Sequence, residues 1–325
     1  MTTVDTVNGP VELGAIGRTL THEHIFTKNP EIEEGWPDPE WEGEDAMVAK
    51  AVDTLDELKT LGIETIIDLT VPGLGRSIPR IQRVAAASAV NIVVATGYYT
   101  FNALPTFFQT HGPGLMVDMD DPMPALFIRD LTTGIGDTGV KAVMIKVATD
   151  EPGLTPGVER VMGAAATAHL ETGATITTHT HAREFRGRDQ QEFFRARGVP
   201  LEHVLIGHSG DSTDLDYLRE MMDNGCTLGM DRFGMVSMRS DEERVDTVVR
   251  LVEMGYAEKL TLSHDAGVFS INTPPSFRRR ESPNWNHAHI SRDILPQLRE
   301  RGVSDADIDQ MMITNAARIL VGARS

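Results

Sequence analysis

The stretch Thr175-Ile176-Thr177-Thr178-His179-Thr180-His181 is a short β-branched run that lies between two segments of helical length. These segments are Pro156–His169 and Gln190–Arg197, and further strand-like runs flank them at Ala142–Val147 and Val204–His208. Parallel strands need long crossover connections, so strands that alternate with helices in this way predict an α/β fold with a parallel sheet.

The same alternation continues on both sides of this stretch. The remaining predicted strands are Thr19–His24, Glu64–Leu69, Ile92–Thr96, Thr227–Met230 and Lys259–Ser263. The remaining predicted helices are Asp45–Lys59, Pro79–Ala87, Asp214–Asn224 and Asp241–Met254. Eight strands spread evenly over about 250 residues fit a (β/α)8 TIM barrel. An open, doubly wound sheet is the competing architecture, and periodicity alone does not separate the two.

No Pro/Ser-rich linker and no change of composition divides the chain, so residues 1–325 are predicted to form one domain. The last segment, Ser304–Leu320, is predicted to be a closing helix, because Ser304 and Asp307 have the spacing of a capping box.

Two segments depart from the alternating pattern. Pro30–Asp45 holds eight acidic and no basic residues, and its composition is typical of a solvated acidic loop. Ala266–His289 shows no periodicity, and loops of this length in compact domains often cover or bind a ligand, which favours a substrate lid. The run Arg278-Arg279-Arg280 in that segment could equally pair with the acidic loop.

The composition excludes several classes of partner. The 325 residues include 48 acidic and 30 basic side chains, and the net charge of −18 argues against binding to nucleic acid or to an anionic membrane. Cys226 is the only cysteine, which excludes intrachain disulfides and cysteine-based zinc sites. The N-terminal residues lack the pattern of a signal peptide, so a cytoplasmic protein is expected.

The chemistry is concentrated where the predicted strands end. His22 and His24 point to the same face of their strand and Glu23 to the other, which suits two imidazole ligands of a divalent metal such as zinc. Six of the eleven histidines lie at such ends, and the residues involved are His22, His24, His179, His181, His208 and His264, with Asp265 beside the last. Strand ends converge in a barrel, so this distribution predicts a metal centre.

Lys146 is the unusual member of this group, because it lies inside the apolar run Val143-Met144-Ile145-Lys146-Val147. A lysine there costs desolvation free energy unless it is paired. It is either an ion-paired or snorkelling side chain, or an amine of lowered pKa that reacts with carbon dioxide to give a metal-bridging carbamate.

These segments together resemble the phosphotriesterase family of the amidohydrolase superfamily, and within it the phosphotriesterase-like lactonases. The resemblance extends from about Thr19 to Leu320. It rests on Thr21-His22-Glu23-His24, Lys146, Thr178-His179-Thr180-His181, Gly207-His208-Ser209, Met230-Asp231-Arg232-Phe233-Gly234 and Ser263-His264-Asp265. It implies a barrel with two divalent metal ions, of which zinc is expected and iron, cobalt or manganese are alternatives.

The resemblance also assigns roles to individual residues. One metal would be held by His22, His24 and Asp265, and the other by His179 and His208, with a carboxylated Lys146 and a hydroxide bridging them. His181 and His264 would not be ligands. The hydroxide would attack the carbonyl or phosphoryl group of the substrate, and Asp265 would take the proton of the hydroxide. Asp211 matches a carboxylate that passes this proton outward.

The implied substrate is a lactone, such as an N-acyl-homoserine lactone or a related γ- or δ-lactone. Tyr99 matches the lactonase tyrosine near the substrate carbonyl, Arg232 matches the lactonases, and Ala266 replaces the tryptophan of efficient phosphotriesterases. The loop that carries Phe101, Phe107 and Phe108 could wall an acyl channel.

Three alternatives remain. A primary phosphotriesterase would use the same metal centre, and organophosphate hydrolysis is otherwise expected as a side activity. A dinucleotide oxidoreductase is disfavoured, since Gly73-Leu74-Gly75 lacks the third glycine of its motif. A non-catalytic metal- or partner-binding protein would be favoured only if a metal-ligating residue were missing.

The resemblance also implies that the protein is a homodimer.

Overall fold

A nine-stranded parallel sheet forms the centre of the fold in a computed structural model that describes residues 2–323. Met1, Arg324 and Ser325, at the ends of the predicted domain, lie outside the described residues. The strands are β1 Thr3–Thr6, β2 Gly9–Glu12, β3 Thr19–Thr27, β4 Thr65–Asp68, β5 Asn91–Gly97, β6 Met144–Thr149, β7 Ile176–Thr180, β8 Val204–Ile206, β9 Thr227–Met230, β10 Leu260–Leu262 and β11 Gly267–Ser270.

The order of the strands in the sheet follows the chain. From β3 to β10, each strand pairs in parallel with its neighbours in the sequence, so that β9 with β10 is the last such pair. Strands β1 and β2 form a separate antiparallel hairpin. Every residue of β3, β6 and β7 is buried, which explains their mostly apolar or threonine-rich sequences, since a parallel sheet is covered on both faces.

The sheet closes on itself. The backbone N–H of Asp265, just after β10, donates to the carbonyl of His22 at 3.0 Å, and the N–H of His24 donates to the carbonyl of Ala266 at 2.8 Å. Strand β11 then pairs in parallel with β3. The predicted (β/α)8 barrel is therefore confirmed and the open sheet is wrong.

Helices connect successive strands and cover the sheet. They are α1 Pro30–Gly35, α2 Glu44–Thr60, α3 Ile78–Ala85, α4 Thr106–Thr110, α5 Pro122–Thr132, α6 Pro156–Thr172, α7 Arg186–Arg195, α8 Leu215–Asp223, α9 Asp241–Glu253, α10 Pro275–Glu281, α11 Leu295–Glu300, α12 Asp305–Asp309 and α13 Asn315–Val321. Helix α6 shows why such segments begin and end where they do. The Thr155 hydroxyl accepts the N–H of Val158, and Gly173 ends the helix at a φ of 72°. Within residues 2–323, no helix is both long and apolar enough to cross a membrane.

Several local predictions need correction. The segment Ala266–His289 is not structureless, because it contains β11 and α10, and the acidic loop Pro30–Asp45 contains α1. Helix α5 was not predicted at all. The capping box at Ser304 is present, but a π-helical turn at Gln310–Thr314 interrupts the predicted closing helix. Elements of four to seven residues are too short to show a period, which explains the first errors.

Candidate metal centre

The sequence-predicted metal ligands meet at one end of the barrel. His22 and His24 lie on β3, Lys146 on β6 and His179 on β7, and all four are buried. His208 lies two residues after the end of β8, and Asp265 lies three residues after the end of β10. The carboxyl ends of the strands therefore bring together all six residues that the sequence singled out.

The inward-facing atoms of these residues form one cluster. Asp265 Oδ1 lies 3.2 Å from His24 Nε2 and 3.6 Å from His22 Nε2, while its Oδ2 lies 3.7 Å from His208 Nε2. The ring nitrogens His208 Nε2 and His179 Nδ1 are 3.0 Å apart. Ligand atoms of His22, His24 and Asp265 all lie within 4.8 Å of one another, close enough for a single ion.

The opposite ring nitrogens are held by partners outside this cluster. Asp231 accepts hydrogen bonds from Nδ1 of both His22 and His208, each at 2.8 Å. The Thr70 hydroxyl lies 2.8 Å from His24 Nδ1, and the Asp150 carboxylate lies 2.5 Å from His179 Nε2. Such contacts fix the orientation of imidazole ligands and leave the inward nitrogens free to bind metal.

Sequence reasoning missed these supporting residues. Asp231 was noticed only as part of a resembling segment, and neither Thr70 nor Asp150 was considered. Both aspartates directly follow strands that line the barrel, β9 and β6. That position at a strand end was the available signal for them.

Lys146 lies at the base of the cluster, with Nζ 2.9 Å from His22 Nε2. Burial lowers the pKa of Lys146 to about 8, which increases the fraction of neutral, nucleophilic amine near neutral pH. Gly97 of β5 allows this packing, because at its φ of 124° a Cβ atom would lie 1.9 Å from the Lys146 carbonyl oxygen. Only glycine fits beside the lysine there.

Two of the clustered residues have unusual backbone conformations. His208 and Asp265 adopt φ values of 57° and 54°, in the left-handed region that non-glycine residues seldom occupy. Glu23, on the opposite face of β3 from His22 and His24, is fully buried and binds the turn that carries Asp265. The strained turn is thus held from behind by a carboxylate.

The protonation of the cluster suits a divalent cation. Burial lowers the pKa of His22 and of His208, and it lowers the pKa of His179 to about 4, so these rings are neutral near pH 7. Burial alone would raise the pKa of Asp265, but its hydrogen bond with His24 and the positive charge of Arg232 help to hold it well below the usual range. Neutral imidazoles around an ionised carboxylate are the donor set that zinc and related metals require.

Asp211 is connected to this cluster through Arg232. Its two oxygens accept from Arg232 and Arg244, each at 2.8 Å, and Arg232 Nε also reaches Asp265 Oδ2 at 3.2 Å. Arg232 therefore lies between the two carboxylates. An arginine does not give up its proton, so these contacts favour a positioning role for Asp211 over direct proton transfer.

Tyr99 lies at the rim of the cluster, with its hydroxyl 3.3 Å from His179 Nδ1. Burial and the nearby Asp265 raise its pKa, so the hydroxyl stays protonated and can donate. The Phe101 ring packs against Tyr99 and His179, with centroid distances of 5.1 Å and 5.2 Å. Of the three predicted channel phenylalanines, Phe107 instead stacks on His111 and Phe108 is buried against Tyr98.

A cavity of about 340 Å³ opens above the clustered residues. Its apolar wall is formed by Leu74, Met235, Met238, Phe277 and Trp285. Phe277 and Trp285 belong to the Ala266–His289 segment, which therefore lines the cavity, and its role as a substrate lid stays a prediction. Arg279 of this segment lies 3.8 Å from Glu40, so a contact between the arginine run and the acidic loop is present.

The two remaining histidines of the strand ends have other partners. The His264 ring lies between Glu23 and the backbone N–H of Ile290, 2.7 Å and 2.9 Å away. The N–H of His181 donates to the carbonyl of Thr149 at 3.1 Å. Within residues 2–323, the groups of side chains that could hold a metal are His22, His208 and Asp231, and His22, His24 and Asp265, so neither His181 nor His264 belongs to them, nor does His179.

The whole chain is similar to proteins of one family. Residues 2–320 match the profile of the phosphotriesterase family. The phosphotriesterase homology protein of Mycobacterium tuberculosis is 49% identical over 98% of both chains, and the aryldialkylphosphatase of Saccharolobus solfataricus is 35% identical over 91% of this chain and 92% of that protein. A solved structure of the phosphotriesterase from Mycobacterium tuberculosis superposes with a TM-score of 0.96, at 49% identity and 98% coverage of each chain. The chain therefore belongs to the phosphotriesterase family.

Proposed function

We propose that this phosphotriesterase-family hydrolase is a metal-dependent lactonase, acting on N-acyl-homoserine lactones or related γ- and δ-lactones, with organophosphate triesters as secondary substrates. The observation that carries the hydrolase assignment is the cluster of four inward-facing imidazole nitrogens around Asp265 and Lys146. We propose further that residues 1–325 form a single hydrolase domain, and that the protein is a cytoplasmic homodimer.

His22, His24 and Asp265 would hold one divalent metal, His179 and His208 would hold the other, and Lys146 would bridge them as its carbamate. Zinc is the expected metal, and iron, cobalt or manganese are alternatives. The metals, when bound, supply Lewis acidity that activates water and the carbonyl or phosphoryl oxygen of the substrate.

The side chains of the protein complete the reaction. Asp265 is ionised and faces the cluster, so it can take the proton of the attacking water. Arg232 fixes one oxygen of that carboxylate from the side. The protonated Tyr99 hydroxyl is placed to donate to an oxygen of the substrate, and an uncharged acyl chain suits the apolar wall of the cavity.

A primary phosphotriesterase is the second candidate. The names of the archaeal and mycobacterial relatives favour it, because they describe activity on phosphate triesters. Tyr99, Arg232 and Ala266 favour the lactone. A non-catalytic metal-binding protein is disfavoured, since all six proposed ligands meet at the strand ends.

The deciding experiment measures kcat/KM of the metal-reconstituted enzyme on a matched panel. The panel contains acyl-homoserine lactones of increasing chain length, simple γ- and δ-lactones and a paraoxon-type triester, with metal-free protein as the control. Lactones preferred by several orders of magnitude would support the proposal. A preferred triester would replace it with the second candidate, and no turnover despite bound metal would exclude both substrate classes.

A further inference from the structure

A second cavity, called here the rear cavity, lies between helix α2 and the segment Ala266–His289. It has a volume of about 350 Å³. Its charged lining comprises the basic residues Lys50, Arg278, Arg279 and Arg292 and the acidic residue Glu57. In a chain of net charge −18, four cations against one carboxylate make this a local positive region that attracts anions.

Arg278 is the central residue of the rear cavity. Its side chain is only 9% exposed, and its two terminal nitrogens donate to the backbone carbonyls of Gly267 and Val268. Its Nε atom is buried without a hydrogen-bond partner in the described part of the chain. Burial, reinforced by the neighbouring Arg279 and opposed by Glu40, lowers the pKa of Arg278 to about 10. A buried cation in this state is stabilised by a bound anion.

The other cations of the rear cavity are only partly compensated. Arg292 forms an ion pair with Glu57. Arg279 is 3.8 Å from Glu40, which lies outside the cavity lining, and both Lys50 and Arg279 are exposed. The lining therefore keeps a net positive charge that favours binding of an anion.

We propose that the rear cavity binds a small multivalent oxyanion that carries phosphate or carboxylate groups. The exposed guanidinium groups of Arg279 and Arg292 offer paired N–H donors, which match the oxygens of both ligand groups, and the buried Arg278 adds its positive charge. Lys50 adds a point charge from the opposite wall, on α2. The volume of the cavity admits an anion of several non-hydrogen atoms.

The bound anion would also stabilise residues that the rear cavity shares with the catalytic cavity. Gly267 and Trp285 line both cavities. The indole N–H of Trp285 donates to the carbonyl of His264 at 2.8 Å, and the Arg278 guanidinium lies 5.8 Å from the indole ring. An anion on Arg278 therefore contacts the outer side of the segment that covers the metal-binding cluster.

The test is isothermal titration of the metal-loaded enzyme with inorganic phosphate and, separately, with succinate, at low ionic strength. These two probes distinguish a phosphate-binding from a carboxylate-binding site. The test variant is Lys50→Gln/Arg279→Gln, which removes two exposed cations and spares the buried Arg278. The matched control is Arg280→Gln, on the same helix, where Arg280 is exposed and pairs with Glu281 outside the cavity lining.

Binding of at least one probe at one site per chain is expected in the wild type and in Arg280→Gln. The dissociation constant should rise about tenfold or more in the double variant, because two charge-assisted contacts are lost. Equal binding in all three proteins would place the anion at the metals or on the general surface, and would overturn the proposal. Absence of binding of both probes to the wild type would overturn it as well.

Discussion

Glu23 and His264 are joined by two hydrogen bonds, because Glu23 Oε1 accepts both the backbone N–H of His264 at 2.9 Å and its ring Nδ1–H at 2.7 Å. The second oxygen, Oε2, accepts the N–H of Ala266 at 3.0 Å. The residue between them is Asp265. The Glu23 carboxylate points away from the candidate metal cluster, and it therefore determines the position of Asp265, the carboxylate within that cluster.

Glu23→Gln should consequently impair metal binding as well as stability. An amide cannot accept at both oxygen positions, so a buried N–H is left unpaired, at an expected cost of about 2–4 kcal/mol of unfolding free energy. Metal content and kcat should both fall, as measured by elemental analysis and steady-state kinetics. Glu220→Gln is the matched control, since Glu220 is exposed on α8 and pairs with Arg188, so metal content and kcat should stay unchanged. Full metal content in Glu23→Gln would show that Glu23 does not position Asp265.

Lys146→Ala should lower the metal content of the protein, because the proposed bridging carbamate cannot form. Added short-chain carboxylate should partly restore both metal and activity, since it can occupy the space of the missing side chain. Lys59→Ala is the control, because Lys59 is half-buried near the end of α2 and pairs with Glu64, outside the clustered residues. An unchanged metal-to-protein ratio in Lys146→Ala would contradict the bridging role.

The barrel and the residues proposed as metal ligands were predictable for the same physical reason. Parallel strands are buried on both faces, so a histidine or lysine inside such a run stands out, as Lys146 does within Val143–Val147. The details of sheet closure were not predictable, because closure involves β11, whose four residues show no period. It also needs the left-handed backbone of Asp265, which sequence composition does not reveal.

The supporting contacts were harder to predict than the ligands. Asp231 holds two histidines that are distant in the sequence, and its position at the end of β9 does not reveal which residues it contacts. Likewise, the proton-transfer role of Asp211 stays a prediction from a resemblance, and the sequence did not indicate that Arg232 contacts both Asp211 and Asp265. Such roles depend on three-dimensional pairing across strands.

Asp211→Asn should reduce kcat about 10- to 100-fold with little change in KM, because Arg232 loses the partner that holds it against Asp265. The same loss is expected in Arg232→Gln. If Asp211 acts through Arg232, the double variant should be scarcely worse than the worse single variant. Additive losses would indicate an independent role, such as proton transfer. Asp216→Asn, at an exposed carboxylate on α8, should leave the kinetics unchanged.

Tyr99→Phe should lower lactone kcat/KM by about 100-fold, the loss expected for one hydrogen-bond donor to a developing negative charge. Metal content should stay the same, since the hydroxyl lies outside the proposed ligand set. The matched control is Tyr98→Phe, because the neighbouring Tyr98 ring packs against Phe108 instead. Equal lactone rates for Tyr99→Phe and the wild type would remove Tyr99 from the substrate site.

His289→Gln should destabilise the protein more at pH 6 than at pH 9. The His289 ring lies 2.9 Å from Asp241 and 2.6 Å from Asp293. Burial would lower its pKa, but the hydrogen bonds and charges of these two carboxylates outweigh burial and raise the pKa above 6.5. The folded protein therefore binds this proton more tightly than the unfolded chain does. The resulting stabilisation is fully present below pH 6.5 and is lost as the pH rises through the folded-state pKa.

Thermal unfolding of His289→Gln and the wild type across this range measures the effect. The difference in melting temperature should be largest at pH 6 and should shrink as the pH approaches 9. Asp241 also accepts the N–H of Gly234 at 2.8 Å, so the loop that carries Met235 should loosen together with this contact. His203→Gln serves as the control, because His203 lies 3.7 Å from a single carboxylate, that of Glu202. A difference that stays constant with pH would show that the His289 charge contributes nothing to folding.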